Sequence, residues 1–484
     1  MKIKGFRWVV LGLIVVVTII NYLDRGTLNY MWVANTKIVC PAGGFVYDEA
    51  AGVYDATVDG EHMRLAADEV SVLPDGSIEY VRYGGIAKDL GLIDTSAPIE
   101  QQQQQSKSLL AVVTMFFMVA YGISQLVSGR IYDKIGTRRG FTLSALLWGG
   151  ADALASISTG LKSLTFFRVM LGLGEAGPWP GTTKSNAEWF PQKERAFAQG
   201  IFGAAASVGS VIAPVLIPVL FLAFGWRVTF VVVGSLGMLW VVPWLLINKK
   251  GPKEHPWVTD EERHYILSGQ PECRVSCDTA KTWGQLLSER KNYAVILGRF
   301  FLDPIWWMFV TWLPIYLIEV FGLDIKQIAM SAWVPYVGAA VGSVAGGWFS
   351  GMLIARGKSV NFARKAAMVV GGCIIVPGMA LAAVASSATM AVVMMAFILG
   401  GYQFVMTNIQ TLVSDFQTGK AVGSLAGLGG AAAVLGTIVS ILLVPYLTQS
   451  GVWTLFFVLG GSLVPASLLC VFLFGGRIEQ VKNK

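Results

Sequence analysis

Residues 366–384 read Ala-Ala-Met-Val-Val-Gly-Gly-Cys-Ile-Ile-Val-Pro-Gly-Met-Ala-Leu-Ala-Ala-Val, an uncharged run bounded by Arg364 and Lys365 before it and by Ser386 and Ser387 after it. A membrane-crossing β-strand needs only about ten residues and alternates in polarity. This run is too long for that and does not alternate, and the same holds for Trp8 to Ile20. Lipid offers backbone amides no partners, so such a run must satisfy its own hydrogen bonds as a helix.

Working outward, the pattern recurs. Spans are predicted at about 7–34, 108–131, 139–160, 162–186, 196–221, 225–247, 291–321, 327–354, 364–386, 387–412, 420–448 and 452–475, twelve in all, and they define an all-α membrane protein. Composition agrees: 14% of the 484 residues are charged, 54% are hydrophobic and the mean hydropathy is +0.59. A soluble chain would be about a quarter charged. The cytoplasmic connection 248–290 divides an N-terminal half, 1–247, from a C-terminal half, 291–484. Six helices against six is the layout of secondary transporters with parallel repeats.

Two polar segments interrupt the bundle. Residues 35–107 form an acidic extracytoplasmic insertion between the first two spans. Within it, 69–73 and 77–81 flank Pro74-Asp75-Gly76, which predicts a hairpin and a small β cap, and Gln101–Gln105 reads as a polar tether. In the central connection, Thr259-Asp260-Glu261-Glu262 reads as a capping box opening a short surface helix.

Basic residues sort by loop. Lys2, Lys4 and Arg7 precede the first span, Lys134, Arg138 and Arg139 follow the second, and Lys193 and Arg195 follow the fourth. Lys249, Lys250, Arg290, Lys291, Arg356, Lys358, Lys420 and Arg477 fall on the same side. The positive-inside rule puts both termini in the cytoplasm, with the chain in a bacterial inner membrane. The net charge of +7 then needs no nucleic-acid partner. Cys40, Cys273, Cys277, Cys373 and Cys470 fall on different sides or within spans, so neither a disulfide framework nor a metal site is expected. No phosphate-binding loop, dinucleotide fingerprint or nucleophile elbow occurs, so no cofactor, ATP-driven pumping or enzyme activity is expected.

Charges inside spans are costly and therefore informative. Away from span ends they are Asp24, Arg25, Asp152, Arg168, Glu175, Arg299 and Asp303. No histidine lies in a span, so any proton coupling must use carboxylates. At 1.5 Å per residue, Arg168 lies roughly 9 Å from the outer end, Asp24 and Arg25 roughly 15 Å, and Glu175 roughly 20 Å, a shared range of depth. A buried arginine fork suits an anionic substrate; the alternative is a static ion-pair network pinning the first span to the fourth. Arg299 and Asp303, four apart on one helix, read as a self-neutralising structural pair. Tyr22, Tyr121 and Gln125 from the first half, and Trp312, Tyr316, Tyr402, Gln403 and Asn408 from the second, are polar or aromatic groups at mid-depth that could complete a site of sugar size.

Gly129-Arg130-Ile131-Tyr132-Asp133-Lys134-Ile135-Gly136-Thr137-Arg138-Arg139 resembles the major facilitator loop signature, G-x-L-x-D-R-x-G-R-R. Physically, Gly129 and Gly136 permit close helix approach, and Asp133, Lys134, Arg138 and Arg139 can form a charge clasp remade as the halves rock. Asn21-Tyr22-Leu23-Asp24-Arg25, the stretch from Arg168 through Gly172-Leu173-Gly174-Glu175-Ala176, and Glu188-Trp189-Phe190-Pro191 resemble the anion:cation symporter family. Arg299-Phe300 with Pro304, Trp306, Trp312 and Pro314, and Ala329-Met330 with Trp333 and Pro335, are similar to its hexuronate branch.

The resemblance implies that Arg25 binds the substrate carboxylate, Glu175 carries the coupled proton, and Arg168 supports the site. Asp24 matches an acidic position of galactonate-type and sialic-acid-type relatives and is a second candidate for proton coupling. Ala205 stands where galactonate-type members place a substrate-binding glutamine. The expected protein is a monomeric proton symporter of a monocarboxylate sugar acid such as glucuronate or galacturonate. Aldonates, glucarate, unsaturated uronates and a non-transporting receptor role stay open as alternatives.

Overall fold

The computed structural model describes residues 2–478 apart from 33, 42–44, 49–52, 59–60, 67–69, 76, 95–98, 271–280, 322–330, 332 and 449–452. Cys273, Cys277, Ala329 and Met330 lie outside the described residues.

Among the described residues, nine helices are long and apolar enough to cross a membrane. Two of these are double. One continuous helical assignment runs Ile99–Ala155 and another Gln192–Ile247, and each is broken by a glycine with a left-handed, extended backbone: Gly136 at φ 81°, ψ 166° and Gly225 at φ 77°, ψ 167°. A side chain would be strained at either φ, so glycine is what lets each chain turn back on itself. The expected fourth span is also divided, into α-helices Leu161–Glu175 and Pro178–Trp189, with Pro178 at the first position of the second piece, where a missing N–H costs nothing. Among the described residues, each expected span thus overlaps a helix.

The remaining long helices are Phe6–Trp32, Tyr293–Phe321, Val334–Ala355, Val360–Ala383, Ala388–Phe416, Val422–Thr448 and Thr454–Gly475. Their burial follows solvent logic inverted: Leu222, Val215, Val384 and Leu442 stand exposed on the outside of the bundle, where only lipid is a suitable neighbour. The buried apolar residues gather in separate clusters. One is drawn from residues 294–478 and two are drawn from residues 6–266.

The insertion holds two three-stranded antiparallel sheets. Strand Val70–Val72 pairs with Ile78–Gly84 in the register Val72↔Ile78, as the hairpin reading predicted, and Ala34–Cys40 adds on the other edge. Asp75 Oδ1 accepts from the Ser77 amide at 3.0 Å, which closes the turn. The second sheet, Val46–Asp48, Val53–Val58 and Glu61–Ala66, was not anticipated, although Asp59-Gly60 stands in the sequence between its last two strands and is itself a hairpin signal. Gln101–Gln105 are not a tether; they are the first turns of the long helix that begins at Ile99.

The helix Asp260–Ser268 is capped by Thr259, whose hydroxyl oxygen accepts from the Glu262 amide at 3.3 Å. The predicted reciprocal bond is absent because Glu262 is spent elsewhere. Its carboxylate accepts from the Phe6 amide at 2.9 Å and from Arg7 Nη1 at 2.8 Å, tying the connection to the start of the first helix.

Candidate functional site

Helix Phe6–Trp32 and helix Leu161–Glu175 bring Arg25 and Glu175 together across 150 residues of chain. Arg25 Nε donates to Glu175 Oε2 at 2.9 Å. The guanidinium lies over the Tyr22 ring, 4.9 Å from its centroid, and 5.1 Å from that of Tyr121. Aromatic faces hold a cation without neutralising it. Among the described residues, Arg25 Nη2 and Glu175 Oε1 are buried without hydrogen-bond partners, so the pair keeps a donor atom and an acceptor atom in reserve.

Arg25 stands where two cavities meet. The outer one, about 830 Å³, extends from Arg25 and Arg168 past Phe117, Trp306 and Trp307 to the exposed Asn29 and Tyr30 at the insertion end of the bundle. The inner one, about 60 Å³, is lined by Tyr22, Tyr121, Gln125, Arg299, Asp303 and Gln403 among others. Arg299 donates to Asp303 through Nε at 3.1 Å and Nη2 at 3.3 Å. The self-neutralising pair predicted from the i, i+4 spacing forms, but it faces the cavity, with Tyr402 beside it.

Behind Arg25 lies a buried polar cluster. Asp24 and Asp152 are close enough to interact, and neither carboxyl group receives a hydrogen bond from an N–H or hydroxyl donor. Arg168 Nη2 is 4.0 Å from Asp152 Oδ1, and its guanidinium lies over Phe230. Asp24 is fully buried and points away from the cavity. Adjacent helical residues diverge by about 100°, which separates it from Arg25.

Three predicted site residues stand elsewhere. Tyr316 donates to the Ala382 carbonyl at 3.3 Å inside an aromatic cluster with Trp453 and Phe457. Asn408 donates to the Gly346 and Phe404 carbonyls at 3.1 and 3.0 Å. Trp312 packs against the same apolar cluster as Tyr316 and lines neither cavity. Trp306, Trp307, Tyr402 and Gln410 line the inner cavity instead.

At the end of the bundle that carries both termini, the cavity is sealed. Asp133 Oδ1 accepts from Lys184 Nζ at 2.9 Å and from the Gly423 amide at 3.0 Å, and Oδ2 accepts from the Ser424 amide and hydroxyl, each at 2.6 Å. A carboxylate here meets the amide-rich N-terminus of helix Val422–Thr448. Gly129 allows this approach: a Cβ there would fall 2.1 Å from the Gly423 carbonyl oxygen. Lys134, Arg138 and Arg139 do not supply the clasp's cation as predicted. They are exposed, and Arg138 caps the Leu245 carbonyl at 3.0 Å. Lys184, buried at 4% exposure, replaces them. Gly136 contributes the turn, not a contact.

The seal continues through Gln199 to Gln410 at 2.6 Å, Arg195 to the Ser414 carbonyl at 2.8 Å, and Asp415, which accepts from Gln192 at 3.0 Å and Arg364 at 2.9 Å. The signal for Lys184 was available: a lysine within Gly181–Glu188, a stretch flanked on both sides by tryptophan, whose only cheap burial is beside a carboxylate.

A helical bundle with a central charged cavity, open toward one end and latched at the other, is an integral membrane protein of the transporter class. Residues 84–432 match the model of the Major Facilitator Superfamily. The chain is 34% identical over 344 residues to the hexuronate transporter of Escherichia coli, covering 69% of this chain and 77% of that one. It is 33% identical over 293 residues to the galacturonate transporter of Dickeya chrysanthemi, covering 59% and 84%. The solved proton:xylose symporter superposes with a TM-score of 0.66 at 12% identity, over 98% of this chain and 97% of that chain, a likeness of fold. The chain belongs to the Major Facilitator Superfamily.

Proposed function

We propose that this protein is a proton-coupled importer of a monocarboxylate sugar acid, a hexuronate, in a bacterial inner membrane with both termini cytoplasmic. It works by alternating access between residues 1–247 and 291–484, joined by 248–290. The observation that carries the reading is the Arg25–Glu175 pair at the meeting of the two cavities. The hexuronate and galacturonate relatives support the substrate class.

The pair supplies a coupling rule. Arg25 already holds one carboxylate, that of Glu175, so a substrate carboxylate must compete for the same fork. A proton on Glu175 removes the competitor and leaves Nε and Nη2 free for a bidentate grip on the incoming anion. The charge count at Arg25 is then the same before and after exchange, so the loaded carrier buries no unbalanced charge. Proton alone would leave Arg25 without its counter-ion, and anion alone would crowd two carboxylates onto one guanidinium. Both partly loaded forms are disfavoured, which makes the transport stoichiometric. Arg168 stays behind the pair, balancing Asp152 and Asp24.

The test is uptake of labelled glucuronate by proteoliposomes under an imposed inward proton gradient. Wild type accumulates it; Glu175→Gln exchanges glucuronate across the membrane but does not concentrate it, at any pH difference. Concentrative uptake by Glu175→Gln would overturn the coupling assignment, and indifference of wild type to glucuronate would move the substrate to an aldonate or another sugar acid.

A further inference from the structure

Two ion pairs meet the inner cavity, Arg25 with Glu175 through Arg25 alone and Arg299 with Asp303 through both members, and they are built differently. Glu175 is fully buried behind Arg25, whereas Asp303 lies on the same helix as Arg299 and lines the cavity beside it. Asp303 receives both guanidinium hydrogen bonds. Tyr22, Tyr121, Arg25, Arg299 and Asp303 all line this one cavity, so a ligand that is seated on Arg25 and reaches across it meets the second pair.

Resting on the reading above, we propose that Asp303 is a charge filter: it occupies Arg299 so that the far end of the site accepts the neutral, hydroxylated end of a monocarboxylate sugar acid and rejects the second carboxylate of an aldarate. A dianion carries an acceptor at each end. At the far end it meets a guanidinium whose charge Asp303 already neutralises and a carboxylate of like charge, which repels it; a sugar hydroxyl can instead donate to Asp303 and accept from an N–H of Arg299 that Asp303 does not use. Specificity of this kind comes from an unfavourable contact built against the wrong ligand.

The experiment uses the full chain in proteoliposomes and measures uptake of labelled glucuronate and gluconate, and its inhibition by glucarate and galactarate. In wild type the monoanions are taken up and the dianions compete weakly. Asp303→Asn frees Arg299, and the potency of glucarate relative to glucuronate rises at least about tenfold, the scale of a charge-assisted hydrogen bond. A folded Asp303→Asn protein whose ratio stays within about twofold of wild type overturns the filter and leaves the transport reading intact. The double variant Arg299→Gln/Asp303→Asn removes both charges and so guards against misfolding of the single one. It must not gain glucarate; gain there would overturn the proposal, since no freed arginine remains. If wild type takes up none of the monoanions, the proposed function falls and the filter with it.

Discussion

The two ends of this bundle use polar groups in opposite ways. At the end bearing the termini, Asp133, Lys184, Gln199, Gln410, Arg364 and Asp415 are buried and hydrogen-bonded to one another or to backbone across distant stretches of chain. Toward the insertion end, aromatic rings line an open cavity, and the buried polar atoms of Arg25, Glu175, Asp24 and Arg168 are left partly unmatched. A latch is stable because every member is satisfied; a binding site is receptive because some are not. In the proposed cycle, the first set of contacts breaks for access to alternate and the second waits for a ligand.

Breaking the receptive side should have the largest effect. Arg25→Ala leaves Glu175 without its cation and the substrate without its fork, and uptake should fall at least about thirtyfold, since truncating one member of a buried hydrogen-bonded charge pair costs about 2–5 kcal/mol. Arg25→Lys keeps the charge but not the planar fork and should recover only part of the loss.

Next comes the latch. Asp133→Asn strands Lys184 in a buried site, a change worth about 3–5 kcal/mol when a pair is broken from one side. A cysteine at Gln410 should then react about tenfold faster with an impermeant thiol reagent from the face that carries the termini, while uptake falls. Unchanged labelling would mean that Asp133 does not hold that face shut. A smaller shift should follow Gly129→Ala, whose methyl meets the Gly423 backbone; overpacking of this kind costs about 1–3 kcal/mol. Gly150→Ala, where a Cβ meets nothing within 4 Å, is the matched control and should change neither readout.

The smallest effect belongs to Thr259→Ala. It removes a cap from the helix Asp260–Ser268 and should cost about 1 kcal/mol locally, with uptake and labelling at wild-type levels.

Arg25, Glu175 and Arg168 were legible in the sequence because a charge amid a long apolar run has few bland explanations. Lys184 was not singled out, because it sits near the end of its predicted span in a polar-looking stretch, and its burial is created by residues 419–424, some 235 positions away. Trp312 and Tyr316 were misplaced for another reason. Helix Tyr293–Phe321 has one polar marker of its cavity side, Arg299 with Asp303, and that pair was read as structural; at about 100° per residue Trp312, nine positions beyond Asp303, faces the opposite way, toward the side packed on Trp453 and Phe457. The chain reversals at Gly136 and Gly225 were expected as short loops and appear as single-glycine breaks, which only a backbone angle can reveal.

The single carboxylate that shares Arg25 has a consequence for energy conversion. In the proposed cycle one proton travels with one monoanion, so no net charge crosses and the membrane voltage performs no work on the carrier. Only the pH difference drives accumulation, at about 1.4 kcal/mol per pH unit, or tenfold in concentration. A cell holding its interior two units more alkaline than the medium would concentrate the sugar acid about a hundredfold, and would do so equally well with its membrane fully depolarised.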